Sequence, residues 1–143
     1  MNLVIKQLSV FLENRTGRLT DLTRLLGEAS INLSAFSIAE SSDFGIMRVI
    51  VSDPDKAAAL LRANHYSVSL TDVVCLQTPN TPGALHKALE VLSDNNIGIE
   101  YMYAFSDNGK AWVVISPDRL EDCVRVLREN RQQLLEADEM YSF

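Results

Sequence analysis

Residues that usually build metal or redox sites are scarce in this 143-residue chain, which has 2 cysteines and 2 histidines. Cys75 and Cys123 stand far apart, with no CxxC or Cys/His grouping near either. A zinc site or redox pair therefore lacks ligands at useful spacing, and each cysteine reads as a small buried hydrophobe. His65 and His86 are isolated as well and read as surface or structural residues. No apolar run approaches the ~20 residues that cross a bilayer, and the start Met1–Ile5 reaches Lys6 and Gln7 too soon for a signal-peptide core. A cytosolic protein is expected. Basic charge is also short: 13 Lys and Arg against 19 Asp and Glu give a formal charge of −6. Nucleic-acid binding, which needs clustered Lys and Arg, is not expected. No spacing assembles a nucleophile with a base, paired carboxylates or a metal cluster, so no enzyme and no cofactor is expected.

What the chain does have is an internal repeat. Asn14-Arg15-Thr16-Gly17-Arg18-Leu19 recurs as Asn80-Thr81-Pro82-Gly83-Ala84-Leu85, 66 positions on from Gly17 to Gly83, with Asn, Gly and Leu in register. Leu26 and Leu92, and Ile31 and Ile97, match at the same spacing. Ser42-Asp43-Phe44-Gly45 recurs as Ser106-Asp107-Asn108-Gly109, now 64 positions on, which predicts that two residues have dropped out between. Matches at turns and core positions are what one fold used twice requires.

Hydrophobic periodicity supplies the elements. Ile5, Leu8, Val10 and Leu12 predict a strand ending at Asn14, and Leu19, Leu22, Leu25, Leu26 and Ala29 share a helix face. Ile31, Leu33 and Ala35 alternate with polar residues as a second strand, which turns at Ser42–Gly45 into Ile46–Val51. Ser52-Asp53-Pro54 signals the start of a second helix over 57–62, and a strand near Val68–Leu70 follows. The second half repeats the order: strand 73–77, helix 83–93, strand 97–105, strand 111–115, and a helix from about Asp118 to Asn130 opened by Ser116-Pro117-Asp118. For the last strand two readings stand, Glu136–Ser142 as the strand or Arg131–Leu135 prolonging the helix. The order βαββαβ, twice, predicts an α+β chain of two ferredoxin-like units, 1–71 and 72–143, with antiparallel sheets packed side by side. An RNA-binding relative of that fold would carry basic and aromatic residues on its first and third strands, which here are aliphatic apart from Phe11.

Each half resembles an ACT domain, the amino-acid-binding regulatory module of biosynthetic enzymes. The resemblance rests on a strand ending in Asn-x-x-Gly-x-Leu at a helix start, a helix ending near Ala29-Ser30, and Ile31-Asn32-Leu33 opening the next strand. Asn80–Leu85, with Pro82, is nearer the family's N-x-P-G loop than the first copy, which has Thr16 there. Gly98 stands where the first half has Asn32, so the two sites are expected to be unequal. The whole resembles stand-alone tandem ACT proteins.

That resemblance implies a ligand between a helix-start loop of one unit and the second strand of its neighbour. Loop Asn80–Leu85 would face Ile31–Ser34, and loop Asn14–Leu19 would face Ile97–Ile99. A helix N-terminus offers unpaired N–H groups to a carboxylate, and glycine keeps the approach open. The expected ligand-binding residues are Asn14, Thr16, Gly17, Leu19, Asn32, Leu33, Asn80, Pro82, Gly83, Ala84, Leu85, Ile97 and Ile99. Walls of Leu19, Leu33, Leu85, Ile97 and Ile99 favour apolar or aromatic amino acids, or histidine. Asn-x-x-Gly before a helix is also an ordinary cap and tight turn. Tyr101, Tyr103 and Phe105 could shape a side-chain pocket or pack in the core. A homodimer and a biosynthetic enzyme partner are implied by the family; the alternative is an ACT-like interaction subunit that binds no ligand.

Overall fold

The computed structural model describes residues 1–40 and 43–143. It divides into two compact units. The first comprises Lys6–Thr71 and Met140–Phe143; the second comprises Met1–Ile5 and Asp72–Glu139. The division falls between Thr71 and Asp72, and each unit includes the chain end nearer the other in sequence.

In the first unit, the alternation along β1 (Ile5–Glu13) buries Leu8, Val10 and Leu12. Gly17, at φ 93°, turns the chain into α1 (Arg18–Glu28), which buries Leu22 and Leu26. β2 (Leu33–Glu40) and β3 (Phe44–Val51) pair antiparallel, and β3 pairs with β1. Asp53 then caps α2 (Pro54–Ala63): its carboxylate accepts from the Lys56 N–H at 3.3 Å, with Pro54 opening the helix. Leu8, Val10, Leu22, Leu26, Met47, Val49 and Leu61 form the core.

The second unit repeats this with β4 (Ser67–Pro79), α3 (Ala84–Asp94), β5 (Ile99–Asp107), β6 (Lys110–Pro117), α4 (Leu120–Glu129) and β7 (Gln133–Leu134); α5 (Ala137–Tyr141) follows. Its strand order is β5-β6-β4-β7, and the first unit's is β2-β3-β1-β4, the ferredoxin-like order in both. Its core residues Val74, Leu76, Ala88, Leu92, Val113, Ile115 and Leu127 each lie 66 positions beyond a core residue of the first unit. Cys123 occupies the place of Ala57, which accounts for its burial as a small apolar group.

Four expectations need correction. The strands expected at 68–70 and 73–77 are one continuous strand, β4, because Leu70-Thr71-Asp72-Val73 contains no glycine or proline to break it. The hairpin offset is 66, not 64: Glu40 pairs with Gly45 and Ser106 with Ala111. Asn108 and Gly109, at φ 52° and 76°, make the second turn between paired Asp107 and Lys110, so the recurring Ser-Asp-x-Gly string is out of structural register. Ser42 of the first hairpin lies outside the described residues.

The third concerns the start of α4: Ser116 and Pro117 belong to β6, and Asp118 turns its carboxylate to the Gly98 N–H (3.1 Å) instead of opening the helix. Last, β7 is Gln133–Leu134 while 137–141 is helical; Arg131, at φ 60°, ends α4 as His65, at φ 69°, ends α2.

Candidate functional site

The loop between β4 and α3 is built by Asn80–Gly83. The Asn80 N–H donates to the Gly109 carbonyl (2.8 Å), and the Ala84 N–H donates to the Thr81 carbonyl (3.2 Å). Gly83 sits at φ 86°, and no protein atom lies within 4 Å of where a Cβ would stand. Glycine is therefore required by the backbone conformation, not by crowding against protein. The first bond of α3 runs from Lys87 N–H to Gly83 carbonyl, which leaves the Leu85 and His86 N–H groups with no acceptor inside the helix.

Beside this loop lies a cavity of about 280 Å³, lined by Thr78–Thr81, Leu85, Ala104–Ser106, Ala111 and Val113. No charged side chain lines it. Phe105 pairs with Trp112, between the cavity-lining pairs Ala104–Val113 and Ser106–Ala111, so its ring turns to the other face of the sheet, stacked on Trp112 at 5.3 Å between centroids. The volume is near the lower end of the roughly 300–1,000 Å³ common for small-ligand sites.

The first unit has the equivalent cavity, at about 170 Å³, lined by Leu12–Arg15, Arg18, Leu19, Ile38, Glu40 and Gly45. Its charges are specific to that unit: Glu13, Arg15, Arg18 and Glu40 correspond to Pro79, Thr81, Ala84 and Ser106. Glu13 pairs with Arg15 at 3.6 Å. The Arg18 guanidinium lies 4.1 Å from the Tyr66 ring centroid, and the Tyr66 hydroxyl donates to Asp21 Oδ2 at 2.7 Å. That hydroxyl, and then Arg24, hold the Asp21 carboxyl below its usual range. Burial raises the Tyr66 hydroxyl.

Of the residues expected from sequence, Asn80 and Leu85 line the second cavity, and Asn14 and Leu19 line the first. Thr16 and Gly17, like Pro82, Gly83 and Ala84, shape the adjoining loops without lining the cavities. Ile97 is a core residue, and Leu33 and Ile99 pack against their own cores. The Asn32 side chain donates to the Phe143 carbonyl at 2.8 Å. Thr78, Ala104, Ser106 and Ala111 were missed; the hairpin register, which sets Thr78 and Ser106 against Ala111, is the signal that places them together. Among the described residues no cluster of His, Cys, Asp or Glu could hold a metal ion, and no helix is long and apolar enough to cross a membrane.

A family model for an ACT domain pair matches residues 3–143. The chain belongs to this family. The ACT pair is similar to the crystal structure of protein BT0572 from Bacteroides thetaiotaomicron, at 52% identity and a TM-score of 0.96, over 99% of this chain and 98% of that one. The regulatory subunit of aspartate kinase from Thermus thermophilus, in its ligand-free form, matches the ACT pair at 13% identity and a TM-score of 0.66, over 90% and 93% of the two chains. The equivalent subunit from Thermus flavus matches at 14% and 0.63, over 90% and 93%. These two similarities concern the fold. No curated protein matches the ACT pair in sequence.

Proposed function

We propose that this ACT pair is a non-catalytic regulatory protein that binds a free amino acid at its helix-start loops, with the Asn80–Leu85 loop as the principal site. The carrying observation is the uncharged cavity beside that loop, where Leu85, Ala104 and Val113 offer apolar walls. The Leu85 and His86 N–H groups suit a carboxylate, and the Asn80 side-chain oxygen suits an ammonium group. Such a lining favours apolar or aromatic amino acids, or histidine, over acidic ones. The likeness in fold to regulatory subunits of aspartate kinase supports a biosynthetic enzyme as the partner informed by the ligand. A homodimer belongs to the same proposal.

A ligand that binds only the folded state stabilises it by about 2.7 kcal/mol at a hundredfold excess over Kd. A thermal-shift screen of the twenty amino acids should therefore raise the melting temperature for one or a few apolar, aromatic or histidine ligands. Ala104→Phe, which fills the cavity from β5, should abolish the shift while the fold persists. A shift with aspartate alone contradicts the ligand class, and no shift with any amino acid contradicts the site. In that last case the reading as a ligand-free interaction subunit takes over; exposed Phe36 (60%) and Ile38 (45%) on β2 favour it.

A further inference from the structure

The second unit carries another hollow, of about 530 Å³, on a different face from its core. Register fixes that face. Leu76 pairs with Leu134, and both belong to the core side, so Gln77 and its partner Gln133 project from the opposite side of the sheet. Pro79 lies two residues beyond Gln77 and pairs with Lys110, which places Lys110 on that same side. The hairpin tip at Asn108 and Gly109 and the left-handed residue Arg131 complete the rim.

The chemistry of this lining departs from that of the chain. The protein is acidic, yet no carboxylate lines the hollow, whereas two cations, Lys110 and Arg131, and four carboxamides, Gln77, Asn108, Gln132 and Gln133, do. Neither cation joins an ion pair among the described residues. The fold does not require this charge, because Gln77 and Lys110 correspond to Phe11 and Phe44 in the first unit, whose rings lie 5.5 Å apart. Asp107 adjoins the hollow, paired with Lys110 across the hairpin and accepting from the Asn108 amide at 3.4 Å. Two cations against this one carboxylate leave a local positive potential suited to an anion. The carboxamide N–H groups of Gln77, Gln132 and Gln133 add donors for its oxygens.

We propose that this hollow is an oxyanion site that takes a small phosphate-bearing molecule. A phosphate monoester is close to a dianion at neutral pH, which two cations offset. The space beyond the phosphate leaves room for the rest of a metabolite, with the glutamines as its polar contacts.

The test is an amide NMR titration of the full chain with inorganic phosphate and with AMP, against sodium chloride at matched ionic strength. Saturable shifts at 108–110 and 131–133 are expected with phosphate or AMP and not with chloride. Lys110→Gln and Arg131→Asn should each weaken the apparent Kd at least tenfold, while Lys87→Gln on the exposed face of α3 leaves it unchanged. AMP binding more tightly than phosphate identifies an ester as the occupant, and the reverse identifies the free ion; either sustains the proposal. Equal shifts in chloride, shifts that do not saturate, or variants that bind as the unmodified chain does would overturn it. Thr78 and Pro79 line both hollows, so the titration is repeated on Ala104→Phe. A phosphate response that survives there separates this site from the amino-acid site.

Discussion

The side-chain amide of Asn32 donates to the main-chain carbonyl of Phe143 at 2.8 Å, and Ser34 Oγ donates to the carbonyl of Met140 at 3.2 Å. Within the first unit, the start of β2 thus holds the last residues of the chain. Asn32 has a structural partner in addition to any ligand role. Asn32→Ala should cost about 1 kcal/mol, the usual worth of such a bond, and lower the melting temperature by roughly 2–4 °C. Asn32→Asp should cost more, because a carboxylate oxygen would face the carbonyl. An Asn32→Ala variant that melts with the unmodified chain contradicts this.

The two units solve one local problem with different side chains. Ser52 Oγ accepts the Asn32 N–H at 2.9 Å, and Asp118 Oδ1 accepts the Gly98 N–H at 3.1 Å. A Cβ on Gly98 would come within 3.0 Å of Asp118 Oδ2. Gly98→Asn should therefore destabilise by about 0.5–1.5 kcal/mol, the usual cost of pushing a side chain such as that of Asp118 off its rotamer. Adding Asp118→Ser, which copies the first unit's pair, should recover part of the loss, giving a coupling of about 0.5 kcal/mol or more in a denaturant double-mutant cycle. Strict additivity would show that the two positions do not interact.

At Gly17 and Gly83 the left-handed backbone sets the cost of substitution. Gly83→Ala meets no protein atom yet should lose about 1–2 kcal/mol, because an L-residue pays for φ 86°. Gly83→Asn should lose less. Urea denaturation of the three proteins checks the order, and equal stability of all three contradicts it.

The same loops show what was legible in the sequence. Asn-x-x-Gly-x-Leu, repeated 66 positions on, located both helix starts, and the core spacing located both helix faces. The hairpin misled because Ser, Asp and Gly favour turns at several neighbouring positions; only cross-strand pairing shows that Asn108-Gly109 is the turn and that Ala111 answers Gly45. The last strand was hidden by its length of two residues, too short for any period, although the left-handed end at Arg131 repeats that at His65. Thr78, Ala104 and Ser106 carry no chemical signature of a site; their meeting depends on register, which composition does not encode.

Burial pushes the Cys75 thiol up to about 12 and the Cys123 thiol up to about 11, from a usual 9.0. The folded state favours the neutral thiols, so their contribution to stability is present in full below pH 9.0 and is lost as pH rises towards 11 and 12. Stability should fall above pH 9, and Cys75→Ala/Cys123→Ala should flatten that fall. Neither thiol should react with iodoacetamide in the folded protein at pH 8. Rapid alkylation of the native chain would show that the thiols are accessible.

The central claim is that a free amino acid occupies the uncharged cavity beside the Asn80–Leu85 loop. Amide NMR during titration with each amino acid that raises the melting temperature tests it most directly. The account predicts saturable shifts centred on Asn80, Thr81, Leu85, Phe105, Ser106 and Ala111, absent from Ala104→Phe. Saturable shifts confined to other surfaces, or a response unchanged in Ala104→Phe, would contradict it.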